Sequence, residues 1–357
     1  MERTLTSLAL ARLMTHQRER TQLIAVLGDP SPSTQQLQAL VQRIPDAELH
    51  PALTLAHKVL AWIAKVGGFV CVLGDENYPP HLASIPDPPP VLYGLGNPSA
   101  FTGMCVAVVG SRRCSDEGRL MAKELATDLS RAGICVVSGL ARGVDGAAHR
   151  GALAAGGRTI AVLGAGLDRI YPPEHVALAR EIGSTGAVIS EFPPGTRPHK
   201  SNFPQRNRLI SGLSAGVVLI EAGDRSGSLS TARHALDQGR EVMVVPGAVR
   251  NARNRGGHQM IKQGAALVEH AVDVLEQLGL EVPAGLVDAP AASVALRVPP
   301  EDPLGRALYE ALADREYTLN DLVDSTGCDV ATVTAALVAM EVNGFVRLAG
   351  QSYSRAP

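Results

Sequence analysis

In Val106-Ala107-Val108-Val109-Gly110-Ser111-Arg112 an unbroken apolar run ends in a glycine, a hydroxyl and a cation. An apolar run without alternation suits a strand covered on both faces. The glycine and serine that follow suit a turn delivering the chain to a helix. Five further runs repeat the pattern, so that short apolar stretches fall at 106–110, 134–138, 159–164, 187–191, 216–221 and 241–246. Each interval has room for one helix and two loops, the size of a βα unit. The central chain is therefore expected to be an α/β, Rossmann-like, doubly wound and mostly parallel sheet.

Outward from this centre the periodicity changes. Leu5, Leu8, Ala9 and Leu13, then Leu23, Ile24 and Leu27, then Leu37, Leu40 and Val41, and finally Leu53, Leu55, Val59, Leu60 and Ile63 recur at helical spacing. Residues 28–32 break this pattern as a loop. A small helical domain over 1–66 follows, then the Rossmann-like domain over 67–280, with a possible strand at 69–73 and Pro-rich turns at 78–80 and 86–90. Ala, Val and Pro dominate 281–301, which reads as a linker. The last unit, 302–357, shows three helical stretches, a capping-box start at Thr318-x-x-Asp321 and a strand near 345–348. That order suggests a winged helix.

The 357 residues carry a formal net charge of −2, and Lys and Arg are unequally used, 5 against 28. Aromatic residues are only 3%. The charge is unevenly placed: 197–262 holds 11 basic and 4 acidic residues, whereas 263–357 holds 5 and 14. One basic patch inside a near-neutral chain is the footprint of a phosphate-backbone ligand. Five cysteines with no CxxC spacing signal neither zinc nor a disulfide frame. Cys105 and Cys135 read as small core residues. With no signal peptide and no long apolar span, a soluble cytoplasmic protein without cofactor or metal is expected.

Four segments carry the chemistry. Gly110-Ser111-Arg112 offers backbone N–H groups and a cation at a strand's carboxyl end. Ser138-Gly139-Leu140-Ala141-Arg142-Gly143-Val144-Asp145 looks like a second anion cradle, with Asp145 capping the helix of His149 or orienting Arg142. Lys200-Ser201-Asn202-Phe203-Pro204-Gln205-Arg206-Asn207-Arg208-Leu209-Ile210-Ser211-Gly212-Leu213-Ser214 is the densest: cations for phosphates, an aromatic face for a base, amides and hydroxyls for hydrogen bonds. Arg206 and Arg208 do not share a helix face, so at least one is open to a structural ion pair. Ser226-Gly227-Ser228-Leu229-Ser230-Thr231 opens a further helix and suits either a phosphate or a plain N-cap. Gly164-Ala165-Gly166 is only a partial dinucleotide fingerprint, and the absence of any Gly-Lys pair excludes a Walker A loop.

Taken with Tyr78-Pro79-Pro80-x-Leu82 and Pro89-Pro90-Val91-Leu92-Tyr93, these motifs resemble the DNA processing protein A family (DprA, also called Smf) over about 69–279. The resemblance implies a dimeric single-stranded DNA binder without catalytic activity. It further implies a mediator that protects incoming DNA and loads the RecA recombinase in natural transformation, past single-strand-binding protein. It assigns DNA contacts to Arg112 and Lys200 and base stacking to Phe203. Candidate DNA-binding residues are therefore Gly110, Ser111, Arg112, Ser138, Gly139, Arg142, Gly143, Lys200, Phe203, Arg206, Asn207, Arg208, Ser211 and Gly212. One departure is His258, where the family has Asn, and no role is carried there. The rival is a nucleotide hydrolase resembling phosphoribohydrolases, which share a similar sheet; their Gly-Gly-x-Gly-Thr loop is absent here.

Two expectations concern assembly. Val268, Ala271, Val272, Leu275 and Leu278 form an apolar stripe that serves either packing on the sheet or, as the resemblance favours, a two-fold dimer. Residues 301–357 hold 4 basic and 9 acidic residues, so the winged helix is expected to bind protein, or its own chain's basic patch, rather than DNA.

Overall fold

The computed structural model describes residues 2–13, 23, 26–27, 39–42, 44–287, 300, 302–312, 317–343, 345–350 and 352–355. The expected loop 28–32, the helical positions Ile24 and Leu37, and most of the linker lie outside these. The chain divides into two compact units, 1–287 and 288–357.

In the first unit, α1 (Glu2–Leu13) and α2 (Asp46–Lys65) precede β1 (Phe69–Val72), the short α3 (Pro80–Ala83) and β2 (Val91–Gly96). Then β3 (Cys105–Gly110), α4 (Asp116–Arg131), β4 (Cys135–Ser138), α5 (Val144–Ala154), β5 (Thr159–Val162), α6 (Val176–Thr185) and β6 (Ala187–Ser190) alternate. The alternation continues through α7 (Asn202–Gly212), β7 (Gly216–Ile220), α8 (Ser228–Asp237), β8 (Glu241–Val244), α9 (Arg255–Lys262), β9 (Ala266–Leu267) and α10 (Ala271–Gln277), with α11 (Ala284–Val287) last. All six apolar runs are strands.

The nine strands lie in the order β1-β2-β6-β5-β4-β3-β7-β8-β9. From β6 to β9 every pairing is parallel, while β2 pairs antiparallel with β6 and with β1. The mixed, mostly parallel sheet matches expectation, with β2 and β9 added. In β3, Ala107 and Val109 enter one apolar cluster and Val106 and Val108 another, because successive side chains face opposite sides and both sides are covered. Cys105 and Cys135, opposite each other on β3 and β4, are free and buried. The helices α1 and α2 share a third cluster with the sheet: Leu8, Ala56 and Val59 pack with Val91 and Tyr93.

The stripe at 268–278 turns inward. Val268, Ala271 and Leu275 are buried against Val218 and Met243 of the chain's own sheet, and Val272 and Leu278 pack beside them. The dimer interface expected on that stripe is therefore corrected; periodicity marks an apolar face but not what covers it.

The second unit comprises α12 (Pro303–Ala311), β10 (Tyr317–Thr318), α13 (Leu319–Thr326), α14 (Val330–Val342), β11 (Val346–Ala349) and β12 (Ser352–Arg355), with strand order β10-β12-β11. Thr318 and Asp321 make the expected capping box, and Leu308, Leu322, Val333, Leu337 and Met340 form the core. Among the described residues, no single helix is long and apolar enough to cross a membrane.

Candidate nucleic-acid interface

The chain leaves β3 in one direction to build β4, β5 and β6, and later returns to β3's other side to build β7, β8 and β9. In open α/β sheets ligands bind at such a switch point, outside the strands' carboxyl ends. A cleft of about 860 Å³ opens there, lined by the 109–113 loop, Ala141, Tyr171, the first turns of α7 and the 223–231 loop. Two glycines allow this closeness. A Cβ on Gly110 would lie 1.9 Å from the Ile220 carbonyl oxygen, and Gly143, at φ +74°, would put one 2.2 Å from the Ser111 oxygen. Two non-glycine residues also take the left-handed region beside the cleft, Leu140 (φ 56°) and Glu221 (φ 49°). Such strain is typical of functional loops held by their surroundings.

Arg112, Arg113, Lys200, Arg225 and Arg253 line the cleft with exposed side chains. None pairs with a carboxylate among the described residues. The Arg112 guanidinium lies over the Phe203 ring, 5.1 Å from its centroid. Tyr171 stands 5.8 Å from Phe203, tilted by 44°. Of the three acidic residues lining the cleft, Asp224 is exposed, Glu221 is occupied and Asp145 is buried. Glu221 accepts from the Ser115 N–H at 2.7 Å and from the Ser115 hydroxyl, tying the loop after β7 to the loop after β3. Burial raises the Asp145 carboxyl above the ordinary carboxylate range, although the Arg206 guanidinium opposes this.

The sequence-predicted residues sort by where they lie. Gly110, Ser111, Arg112, Lys200, Phe203, Arg206 and Asn207 line the cleft together. Gly139 and Gly143 act behind it, the first through its carbonyl, which accepts from Arg206 Nη1 at 2.8 Å. Arg206 itself is buried in the floor, also donates to the Val162 carbonyl, and is pulled down to about 10 by burial. Asn207 donates to the Gly227 carbonyl at 3.2 Å and the Ser230 hydroxyl at 2.7 Å, joining α7 to the loop before α8.

Others do not line the cleft and are engaged elsewhere in the fold. Arg208 holds Glu191 bidentately at 2.6 and 2.7 Å and Asp87 at 3.0 Å. This is the structural ion pair left open for one of the two arginines. Ser138 donates to the Val108 carbonyl at 2.7 Å, and Ser211 donates to carbonyls of its own helix. Gly212 closes α7 on Leu82 and Ile85. Arg142 is exposed but ion-paired with Glu174. Asp145 accepts from the Ala141 N–H at 3.3 Å, steadying its own loop rather than Arg142. Sequence reasoning did not single out Tyr171, Arg113, Arg225 and Arg253; the basic count over 197–262 contained the last two without ranking them.

A rim of unpaired cations around an aromatic pair can hold a polyanion's phosphates and offer faces to planar rings. Among the described residues no cluster of His, Cys, Asp and Glu is placed to hold a metal.

Comparison with known proteins agrees with this geometry. Residues 69–279 match the family described as DNA recombination-mediator protein A, and residues 289–351 match the DprA winged helix domain. A protein named Smf from Escherichia coli K12 is 40% identical over 302 residues, 83% of this chain and 79% of that one. DNA processing protein DprA of Bacillus subtilis is 40% identical over 222 residues, 62% of this chain and 75% of that one. The solved structure of DNA processing protein A from Streptococcus pneumoniae aligns with a TM-score of 0.64 at 36% identity, covering 73% of this chain and 94% of that one. The Helicobacter pylori protein, solved for its single-stranded DNA binding mode, aligns with a TM-score of 0.54 at 30% identity over 59% of this chain and 95% of that one. On the match over 69–279 and these identities, the chain belongs to the DNA recombination-mediator protein A (DprA/Smf) family.

Proposed function

We propose that this protein binds single-stranded DNA in the cleft at the β3–β7 switch point. We further propose that it acts, without catalysing a reaction, as a mediator that loads the RecA recombinase past single-strand-binding protein during natural transformation. One observation carries the DNA reading: five exposed cations without carboxylate partners line one cleft with the Phe203–Tyr171 ring pair. Cations supply phosphate contacts that read no sequence, whereas a ring can stack only on a base free of its partner strand. The Helicobacter pylori relative's description supports the same ligand. The mediator role rests on the family's description and on its resemblance.

Two features count against the hydrolase reading: the Gly-Gly-x-Gly-Thr loop is absent, and Glu221 already accepts two hydrogen bonds from Ser115. The homodimer belongs to this proposal too. Light scattering that returns only monomer contradicts it.

The test is Phe203→Ala. It is expected to cost on the order of 1–3 kcal/mol of single-strand affinity, one base–aromatic stack. Equal affinity for duplex and single strand, unchanged by the substitution, contradicts the reading. For the mediator role, recombinase filaments should assemble faster on strands coated with single-strand-binding protein when this protein is added, and no acceleration argues against it.

A further inference from the structure

We propose that Tyr171 is a second base-stacking platform in the cleft, so that two neighbouring nucleotides are each held on their own ring. This rests on the single-stranded DNA reading above. Phe203 is half-buried and the Arg112 guanidinium already lies over its ring. Tyr171 is 41% exposed, lines the same cleft, and its hydroxyl has no hydrogen-bond partner among the described residues. The ring is thus not placed to serve its hydroxyl. Of the two rings it is the more open.

The geometry separates two modes of stacking. A base inserted between two rings needs parallel planes about 7 Å apart, two stacking steps of about 3.4 Å. Phe203 and Tyr171 have centroids 5.8 Å apart and planes tilted by 44°. They cannot sandwich one base, but each can take one on its own face.

Arg112 then has two positions. A base stacked on the ring gains more than a cation over an exposed ring, so the incoming base displaces the guanidinium, which is released to a phosphate.

The segment that carries Tyr171 is anchored on both sides. On one side Ile170 packs against the core, and Gly166 N–H bonds to the Thr196 carbonyl at 2.9 Å. On the other, His175 N–H bonds to the Pro172 carbonyl at 3.0 Å, and the His175 ring bonds to the Leu140 carbonyl at 2.9 Å.

The experiment measures full-length wild type, Tyr171→Ala, Tyr171→Phe and Phe203→Ala against oligo-dT and against an abasic oligonucleotide of the same length, over a salt series. Tyr171→Ala is expected to weaken oligo-dT binding at least about fivefold, the lower end of one base stack. It should leave abasic binding and the salt slope unchanged, because the ring carries no charge. Tyr171→Phe is expected to match wild type. If Phe203→Ala weakens oligo-dT binding and Tyr171→Ala does not, the second platform is refuted while the cleft reading stands. An equal loss on abasic strands shows a loop disturbance and also refutes it. If wild type fails to bind oligo-dT, both readings fall.

Discussion

Replacing Arg208 by Met separates architecture from contact within the densest motif. The guanidinium is 7% exposed and the Glu191 carboxylate 5%, and two short bonds of 2.6 and 2.7 Å join them. Nε adds the Asp87 carboxylate and carbonyl, both at 3.0 Å, and Nη1 adds the Gln205 carbonyl at 2.9 Å. Asp87 is 38% exposed, so solvent screens its share. The buried Glu191 pair dominates. Methionine keeps much of the volume and removes the charge, taking the guanidinium away from the buried Glu191 carboxylate, which costs about 3–5 kcal/mol. For a unit of this size the melting temperature should fall by roughly 5–15 °C. Adding Glu191→Met should restore most of it, because a buried pair exchanged for apolar side chains is close to neutral. The assays are thermal denaturation followed by circular dichroism, and oligo-dT anisotropy well below the melting point. The account predicts large destabilisation of the single variant, recovery in the double variant, and near-normal DNA affinity of the folded protein. Unchanged melting with a steep loss of DNA binding would refute the reasoning and return Arg208 to the interface.

Three further outcomes follow from the same contacts. Burial, the His175 ring and two arginines lower His149 to about 3 from 6.5, so below about pH 6.5 the unfolded chain binds a proton that the folded chain excludes. Stability is then retained above that pH and lost progressively below it, by about 2 kcal/mol near pH 5; melts of His149→Gln should show a flatter pH dependence, and an identical dependence contradicts the burial argument. Glu174→Gln should leave the melting temperature unchanged, because an exposed ion pair contributes little, and should leave single-strand affinity unchanged, because Arg142 does not line the cleft; a clear change in affinity opposes this. Deleting 290–357 should leave single-strand affinity unchanged or higher, since that unit is acidic; a tenfold loss, about 1.4 kcal/mol, in a folded deletion variant overturns the charge argument.

The central sheet was legible because each strand's apolar run is continuous and each βα interval is regular. Val91–Gly96 escaped notice behind the prolines at 86–90, and Ala266–Leu267 is too short to leave a pattern. The cleft's first loop was legible at Gly110-Ser111-Arg112, where residue type and strand end coincide. Direction was not. Arg206 and Arg208 count as cations in the sequence, yet their partners Gly139, Val162, Glu191 and Asp87 are distant in the chain and only the fold brings them together. Tyr171 gave a weak signal, a lone aromatic shortly after the third apolar run in a chain where aromatics are scarce. The 268–278 stripe had the same periodicity whether covered by its own sheet or by a partner, and packing alone decided it.

The most direct test of the cleft is the salt dependence of oligo-dT binding. Each phosphate neutralised on a single strand contributes about −0.7 to the slope of log K against log salt, so five cleft cations set a limit of about −3.5. Wild type should bind single strands more tightly than duplex with a slope between zero and that limit. Arg112→Ala and Lys200→Ala should each flatten the slope by about 0.7 without altering sequence preference. A flat slope in wild type, or slopes unmoved by both substitutions, would contradict the account.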